Sequence, residues 1–108
     1  MALLFSEEPV IRDGETALDI MMSATYGTDC LGIALNKEAL SPEFFDLSSR
    51  LAGDILQKFV NYGFKISIYG DLSAYPSKAL GDFVYESNSG NQVGFVSSEG
   101  EAVERLFR

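Results

Sequence analysis

The stretch Cys30-Leu31-Gly32-Ile33-Ala34-Leu35, residues 30–35, decides the fold class of this chain. Its apolar and small residues follow one another without the polar alternation of a strand that has one face in water. This pattern is typical of a strand covered on both faces, as in a parallel sheet. Further strand-like runs over residues 3–5, 64–69 and 92–96 predict neighbours for it in the same sheet.

Amphipathic segments separate these strands and predict helices. Asp13 is the expected N-cap of the first helix, which carries an apolar stripe and ends near Tyr26-Gly27. The stripe consists of Ala17, Leu18, Met21 and Met22. A long second helix is predicted from Ser48 or Ser49 to about Tyr62, before Gly63.

Two more helices complete the pattern, one around residues 80–87 and one behind Ser98, where Glu101 is expected to complete a capping box. The order β-α-β-α-β-α-β-α predicts an α/β fold with right-handed crossovers. We expect one domain over residues 1–108, with about four helices on a mixed, mainly parallel sheet of four or five strands.

The composition excludes several classes of function. The chain has 108 residues, a net charge of −8, one Cys and no His. Without His, catalytic sites of the Ser/His and Cys/His types and His-ligated metal sites are impossible. We therefore expect no enzyme, no metal and no cofactor. The negative charge disfavours nucleic acid as a partner.

The setting follows from the cysteine and the first residues. Cys30 has no partner for a disulfide within the chain, which favours a reducing cytoplasm. The apolar residues 1–5 give way to Ser6-Glu7-Glu8 without a basic segment before them, so we expect neither a signal peptide nor a membrane span.

The charge is unevenly distributed along the chain. Residues 1–35 carry six acids and one base, residues 36–70 four of each, and residues 71–108 six acids and three bases. An acidic surface promotes solubility, and the balanced middle segment is the part that we expect to make contacts.

Polar side chains follow the predicted strands, and in α/β sheets ligands bind at the carboxyl ends of strands. The residues that we expect to contact a partner or ligand are Asn36, Ser41, Phe44, Asp46, Ser48, Ser49, Asp71 and Ser73. Phe44 and Phe45 are adjacent, so one of them is expected on an exposed apolar patch. No residue pair has the spacing of a catalytic dyad.

Ser48 and Ser49 allow two interpretations. A serine at a helix start is commonly an N-cap that stabilises the helix by about 1 kcal/mol. The same position also favours a phosphate, because free backbone N–H groups and the helix dipole attract it. Capping and phosphorylation both remain open from the sequence.

Two resemblances add to this reading. The order of elements, with Asp46-Leu47-Ser48-Ser49-Arg50 before the long helix, resembles STAS domains, the fold of bacterial anti-sigma-factor antagonists. That family carries Asp-Ser-Ser-Gly at this position, and one of its serines is phosphorylated by a kinase. Here Leu47 is inserted and Arg50 stands where Gly is expected.

A more extensive resemblance is to the bacterial domain-of-unknown-function family 4180. It rests on residues 40–47, 52–59, 70–73 and 82–88 together with Asn61-Tyr62. The resemblance implies a fold and a bacterial origin but no activity. Members usually have one more N-terminal strand, which implies a short sheet edge or one completed by a second copy in a homodimer.

These observations favour a regulatory or protein-interaction module that docks through residues 41–49 and the start of the long helix. The alternative is a domain that binds a small molecule or lipid in the crevice at the strand ends, between Asn36, Ser48 and Asp71. An exposed apolar patch would favour the first, and a concave cavity would favour the second.

Overall fold

Four parallel strands form one sheet in the computed structural model, which describes residues 2–27, 29–75 and 77–107. The strands are β1 (Ala2–Leu4), β2 (Gly32–Asn36), β3 (Lys65–Tyr69) and β4 (Val93–Val96). They lie side by side in chain order, and each neighbouring pair is parallel. All five residues of β2 are buried, as the unbroken run over residues 30–35 predicts.

Four helices connect and cover the strands of this described part. They are α1 (Gly14–Thr25), α2 (Leu51–Asn61), α3 (Lys78–Asn88) and α4 (Glu99–Leu106). Three short 3-10 turns, Lys37–Ala39, Pro42–Phe45 and Leu47–Ser49, lie between β2 and α2. The predicted α/β fold class, with its largely parallel sheet and about four helices, is confirmed.

The helices lie on opposite faces of the sheet. Alternate residues of β2, such as Ile33 and Leu35, belong to the main core, which also holds buried residues of α1, α2 and α3. Ala34 points the other way and packs with Ala102 and Leu106 of α4. The chain therefore turns to one face after β3 and to the other face after β4.

Local hydrogen bonds fix where α1 and α4 begin. The Asp13 carboxylate accepts the Thr16 N–H at 2.8 Å, and the Thr16 hydroxyl oxygen accepts the Asp13 N–H in return. Ser98 caps α4 as predicted by accepting the Glu101 N–H at 3.2 Å. The Glu101 carboxylate does not close the expected box, because it accepts the Ser97 and Ser98 hydroxyls instead.

The predicted start of the long helix is wrong by two or three residues. Arg50 has a φ of 62°, in the left-handed region that cannot continue a right-handed helix. The helix therefore begins at Leu51, and Ser48 and Ser49 lie in the preceding 3-10 turn.

The outer edge of β4 is closed by a side chain. The carbonyls of Gln92 and Val96 accept the N–H groups of Ile66 in β3 and of Gly70 just after it, so the N–H and C=O of Phe95 point to the open edge. The Asn88 amide pairs with both of them, at 2.7 Å and 2.9 Å. This pairing satisfies the edge in place of a further strand.

A buried arginine on the other face of the sheet bonds to the end of α3 and to the loop before β4. Arg105 of α4 lies across Gly94, where an added Cβ would stand 1.9 Å from its Nε atom. Its Nη2 group donates to the carbonyls of Asn88 and Gly90, at 3.0 Å and 2.7 Å. The absence of a side chain at residue 94 therefore makes room for this contact.

Candidate functional site

Asn36, at the end of β2, holds the first strand in place. Its Oδ1 accepts the Ser6 N–H at 3.0 Å, and its Nδ2 donates to the Ser6 carbonyl at 2.7 Å and to Glu38 Oε1 at 3.1 Å. The side chain is buried. The expected contact with a ligand or partner is replaced by a pair of hydrogen bonds to backbone.

Neither Phe44 nor Phe45 lies on the exposed patch that the sequence predicts for one of them. Phe44 is 0% exposed and Phe45 is 3% exposed. In a 3-10 turn successive side chains point about 120° apart, so the two rings reach different neighbours. Phe44 lies 6.4 Å from the Phe95 ring, and Phe45 stacks on Tyr75 at 4.9 Å. Neither ring is available to a partner of the folded chain.

Ser41 is likewise part of the framework. It is buried, and its N–H donates to the carbonyl of Ile11 at 3.0 Å. Its hydroxyl donates to the Glu43 carboxylate, and this hydrogen bond lowers the pKa of Glu43. Ser41 therefore ties the segment after β1 to the turn that carries Phe44 and Phe45.

Asp46, Ser48 and Ser49 are exposed, and they take part in hydrogen bonds within the turn that precedes α2. The Ser48 hydroxyl donates to Asp46 Oδ1 at 2.6 Å. The Ser49 hydroxyl donates to the carbonyls of Glu43 and Asp46 at 2.6 Å and 2.7 Å, and its oxygen accepts the Leu51 N–H at 3.2 Å. Both residues are exposed, and both hydroxyls hold the 3-10 turn together.

Asp71 and Ser73 form a turn directly after β3. Asp71 Oδ1 accepts the Ser73 N–H at 2.8 Å, and this backbone hydrogen bond is the main reason that the pKa of Asp71 lies below its ordinary value. The Lys37 ammonium donates to the Asp71 carbonyl at 2.5 Å. Asp71 is therefore a carboxylate at neutral pH.

A crevice of about 610 Å³ opens at the carboxyl ends of β3 and β4. It lies where the connections leave the sheet toward opposite faces, which is the usual position of a ligand site in an open α/β sheet. Its wall includes the loop after β3, α3, the end of β4 and the first turn of α4. The lining residues are Gly70, Asp71, Leu72, Val84, Asn88, Phe95, Val96, Ser97 and Glu101.

Of the eight predicted contact residues, Asp71 alone lines this crevice in the described structure. Asn36 is buried at the end of β2, and Ser48 lies in the turn before α2, so the crevice expected between Asn36, Ser48 and Asp71 is not the one that forms. The sequence predicts only a helix cap for Glu101. Its position shortly after β4, four residues beyond Ser97, could have indicated a place at the carboxyl end of the sheet.

The crevice has acidic and apolar character. Its charged lining residues are Asp71 and Glu101, and no lysine or arginine is among the described residues that line it. Both residues are exposed, and their carboxylates accept hydrogen bonds within the protein, from Ser73 and from the hydroxyls of Ser97 and Ser98 respectively.

The fold and this crevice define a class: a small, parallel α/β domain with an acidic cleft at the end of its sheet. The chain belongs to the family described as domain of unknown function (DUF4180), whose model matches residues 1–106. The predicted membership of this family is confirmed.

No curated protein and no solved structure matches the chain. The STAS-like resemblance therefore stays a prediction. Among the described residues, no helix has both the length and the apolar character that crossing a membrane requires.

Proposed function

We propose that this protein is a non-enzymatic binding domain whose crevice at the ends of β3 and β4 takes a small organic cation. The observation that carries the proposal is the pair of carboxylates, Asp71 and Glu101, on the wall of a cavity that the divergence of α3 and α4 opens. A volume of about 610 Å³ lies within the range of ~300–1,000 Å³ typical of small-molecule sites.

The lining chemistry selects the ligand class. Leu72, Val84 and Phe95 supply apolar surface, and the two exposed carboxylates can accept hydrogen bonds from an ammonium group. An anionic headgroup would meet like charge at Asp71 and Glu101, which makes an anionic lipid a poor ligand. An amine attached to an aromatic or aliphatic body fits both features.

The test compares 2-phenylethylamine with 2-phenylethanol, which have the same skeleton and differ in charge. For so few atoms we expect dissociation constants on the order of mM, measured from amide shifts in ¹H–¹⁵N NMR titrations. The amine should shift residues 70–72 and 97–101 at lower concentration than the alcohol does. Equal responses, or shifts elsewhere only, would contradict the proposal.

Asp71→Asn supplies the matched variant. The amide oxygen can still accept the Ser73 N–H, so the turn is retained while the charge is lost. Asp54→Asn in α2 makes the same charge change at an exposed residue outside the crevice. We expect weaker amine binding for the first variant and unchanged binding for the second.

A second candidate function is a regulatory protein-interaction module, supported by the exposure of Ser48 and Ser49. In this proposal the chain works in the bacterial cytoplasm, and its partner reads the surface of residues 41–49. Phosphorylation would remove the hydrogen bonds that Ser49 donates to Glu43 and Asp46 and would add negative charge beside Asp46. The modification would therefore release the turn.

Phosphomimetic variants test this second proposal. Ser49→Asp should increase amide hydrogen exchange over residues 43–51 more than Ser49→Ala does, because only the first adds charge. Pull-down from a bacterial host with each variant, followed by phosphoserine mass spectrometry, tests partner binding. Identical exchange and identical captured proteins would refute the switch.

A second copy of the chain is one candidate partner. β1 is an edge strand, and Leu3 and Phe5 at this edge are exposed. Sedimentation velocity tests for a homodimer, and a Leu3→Lys variant should dissociate one that uses this edge.

A further inference from the structure

A second cleft lies between the C-terminal ends of α1 and α2, at the opposite end of the sheet from the acidic crevice. Its volume is about 360 Å³. The apolar stripe predicted for α1 explains part of it, because Met21 faces inward while Met22 is 68% exposed. The apolar stripe of α1 thus extends beyond the buried core, and its exposed residue Met22 lines the cleft.

The cleft has a buried floor and an exposed apolar rim. Met21 and Phe64 form the floor and are almost inaccessible, whereas Met22, Leu31 and Tyr62 stand around it and are largely exposed. A rim of large apolar side chains above a recessed floor fits a narrow, apolar object better than it fits a flat protein surface.

The polar content of the cleft is small. None of the described residues lining it is charged, and the Thr25 hydroxyl is already donated to the Met22 carbonyl at 3.1 Å. The phenol of Tyr62, at the rim, is the remaining polar group. Methionine side chains adapt their shape to a range of apolar ligands.

We propose that this cleft binds an uncharged, mainly apolar small molecule whose polar end lies near Tyr62. The site is independent of the acidic crevice and its ligand. The chain carries a net charge of −8, which opposes an anionic ligand.

The test uses two fluorescent probes with one ring skeleton. N-phenyl-1-naphthylamine is uncharged, and 8-anilinonaphthalene-1-sulfonate adds an anionic group to the same rings. We expect the uncharged probe to bind the native chain at least ~10-fold more tightly. In ¹³C-methyl methionine spectra, the signals of Met21 and Met22 should shift as the probe binds.

Two variants place the probe. Met22→Lys should weaken binding of the uncharged probe by about tenfold, which corresponds to the apolar contacts of one thioether side chain. Tyr85→Lys introduces the same residue at an exposed position of α3 outside the cleft and should leave binding unchanged. Lysine keeps a helix propensity close to that of methionine, so both variants should fold.

Four results would overturn the proposal, and the first three concern the probes. These are equal affinity for the two probes, equal effects of the two variants, and unshifted Met21 and Met22 methyl signals at saturation. A dimer in sedimentation velocity that Met22→Lys dissociates would also overturn it, because the cleft would then belong to a contact between copies.

Discussion

Replacing Asn36 tests whether this residue is part of the framework or of a binding site. Asn36→Ala removes both hydrogen bonds to the Ser6 backbone, made at 3.0 Å and 2.7 Å. Each contributes about 1 kcal/mol net, and Ser6 is partly buried, so its freed groups regain only part of their hydration. We expect a loss of about 2 kcal/mol in the free energy of unfolding, or roughly 8 °C in Tm.

Asn36→Asp is the sharper variant because it keeps the size of the side chain. One carboxylate oxygen can still accept the Ser6 N–H, but the other faces the Ser6 carbonyl and the Glu38 carboxylate. A buried charge beside two acceptors should cost about 3 kcal/mol at neutral pH.

The pH dependence of Asn36→Asp has a definite sign. Burial and the neighbouring acceptors raise the pKa of the introduced carboxyl in the folded state above its unfolded value of about 3.9. The destabilisation is therefore full above the folded pKa and decreases as the pH falls toward the unfolded pKa. The deficit relative to the native chain should be smaller at pH 5 than at pH 7.5.

Urea unfolding followed by circular dichroism measures these differences. Asn61→Asp is the matched control, since Asn61 is exposed at the end of α2, and its change should stay within ~0.5 kcal/mol. If Asn36→Ala were as stable as the native chain, or if Asn36→Asp showed no pH dependence, the framework role would be refuted.

Three further predictions concern other parts of the framework. Gly70 has a φ of 139°, and a Cβ there would come within 2.9 Å of Lys37 Cγ. Gly70→Ala should therefore lower the free energy of unfolding by about 1–3 kcal/mol. Gly53→Ala, at an open position of α2, should instead raise it by ~0.5–1 kcal/mol, and the same sign for both would contradict this reasoning. Arg105→Met should lower the free energy of unfolding in urea by about 3 kcal/mol, and Arg105→Lys should restore it only in part. A loss under ~1 kcal/mol would show that the hydrogen bonds of Arg105 do not stabilise the fold. The Thr16 N–H lowers the pKa of Asp13, so Asp13→Ala should be less stable at neutral pH and approach the native chain below about pH 4; a constant difference would contradict it.

Short-range signals in the sequence were sufficient for the fold. The unbroken run over residues 30–35 specified a doubly covered strand, and Asp13 and Ser98 marked helix starts that form where expected. These signals act over a few neighbouring residues, so they do not depend on contacts with distant parts of the chain. The start of α2 failed because the left-handed conformation of Arg50 has no local sequence mark.

The candidate site was less predictable because it depends on contacts between distant residues. The apolar stripe of α4 indicates a buried side but not which face of the sheet it covers. That choice opens the crevice, places Glu101 in its lining together with Asp71 and lays Arg105 across Gly94. One of Phe44 and Phe45 was expected at the surface because adjacency argues against joint burial, yet a 3-10 turn buries both.

The side-chain amides of Asn36 and Asn88 were unpredictable for the same reason, since their partners lie elsewhere in the chain. Asn36 and Asn88 each pair with the backbone N–H and C=O of another residue, Ser6 and Phe95. In a sequence, an asparagine at a strand or helix end resembles a surface polar residue. Its burial is decided by which strand lies beside it.

Binding of a small organic cation in the crevice between the ends of β3 and β4 is best tested by intermolecular NOEs between 2-phenylethylamine and the native chain. We expect NOEs from the aromatic protons to the methyl groups of Leu72 and Val84, and their loss in Asp71→Asn. NOEs to Met21 and Met22 alone, or NOEs that Asp71→Asn leaves unchanged, would contradict it.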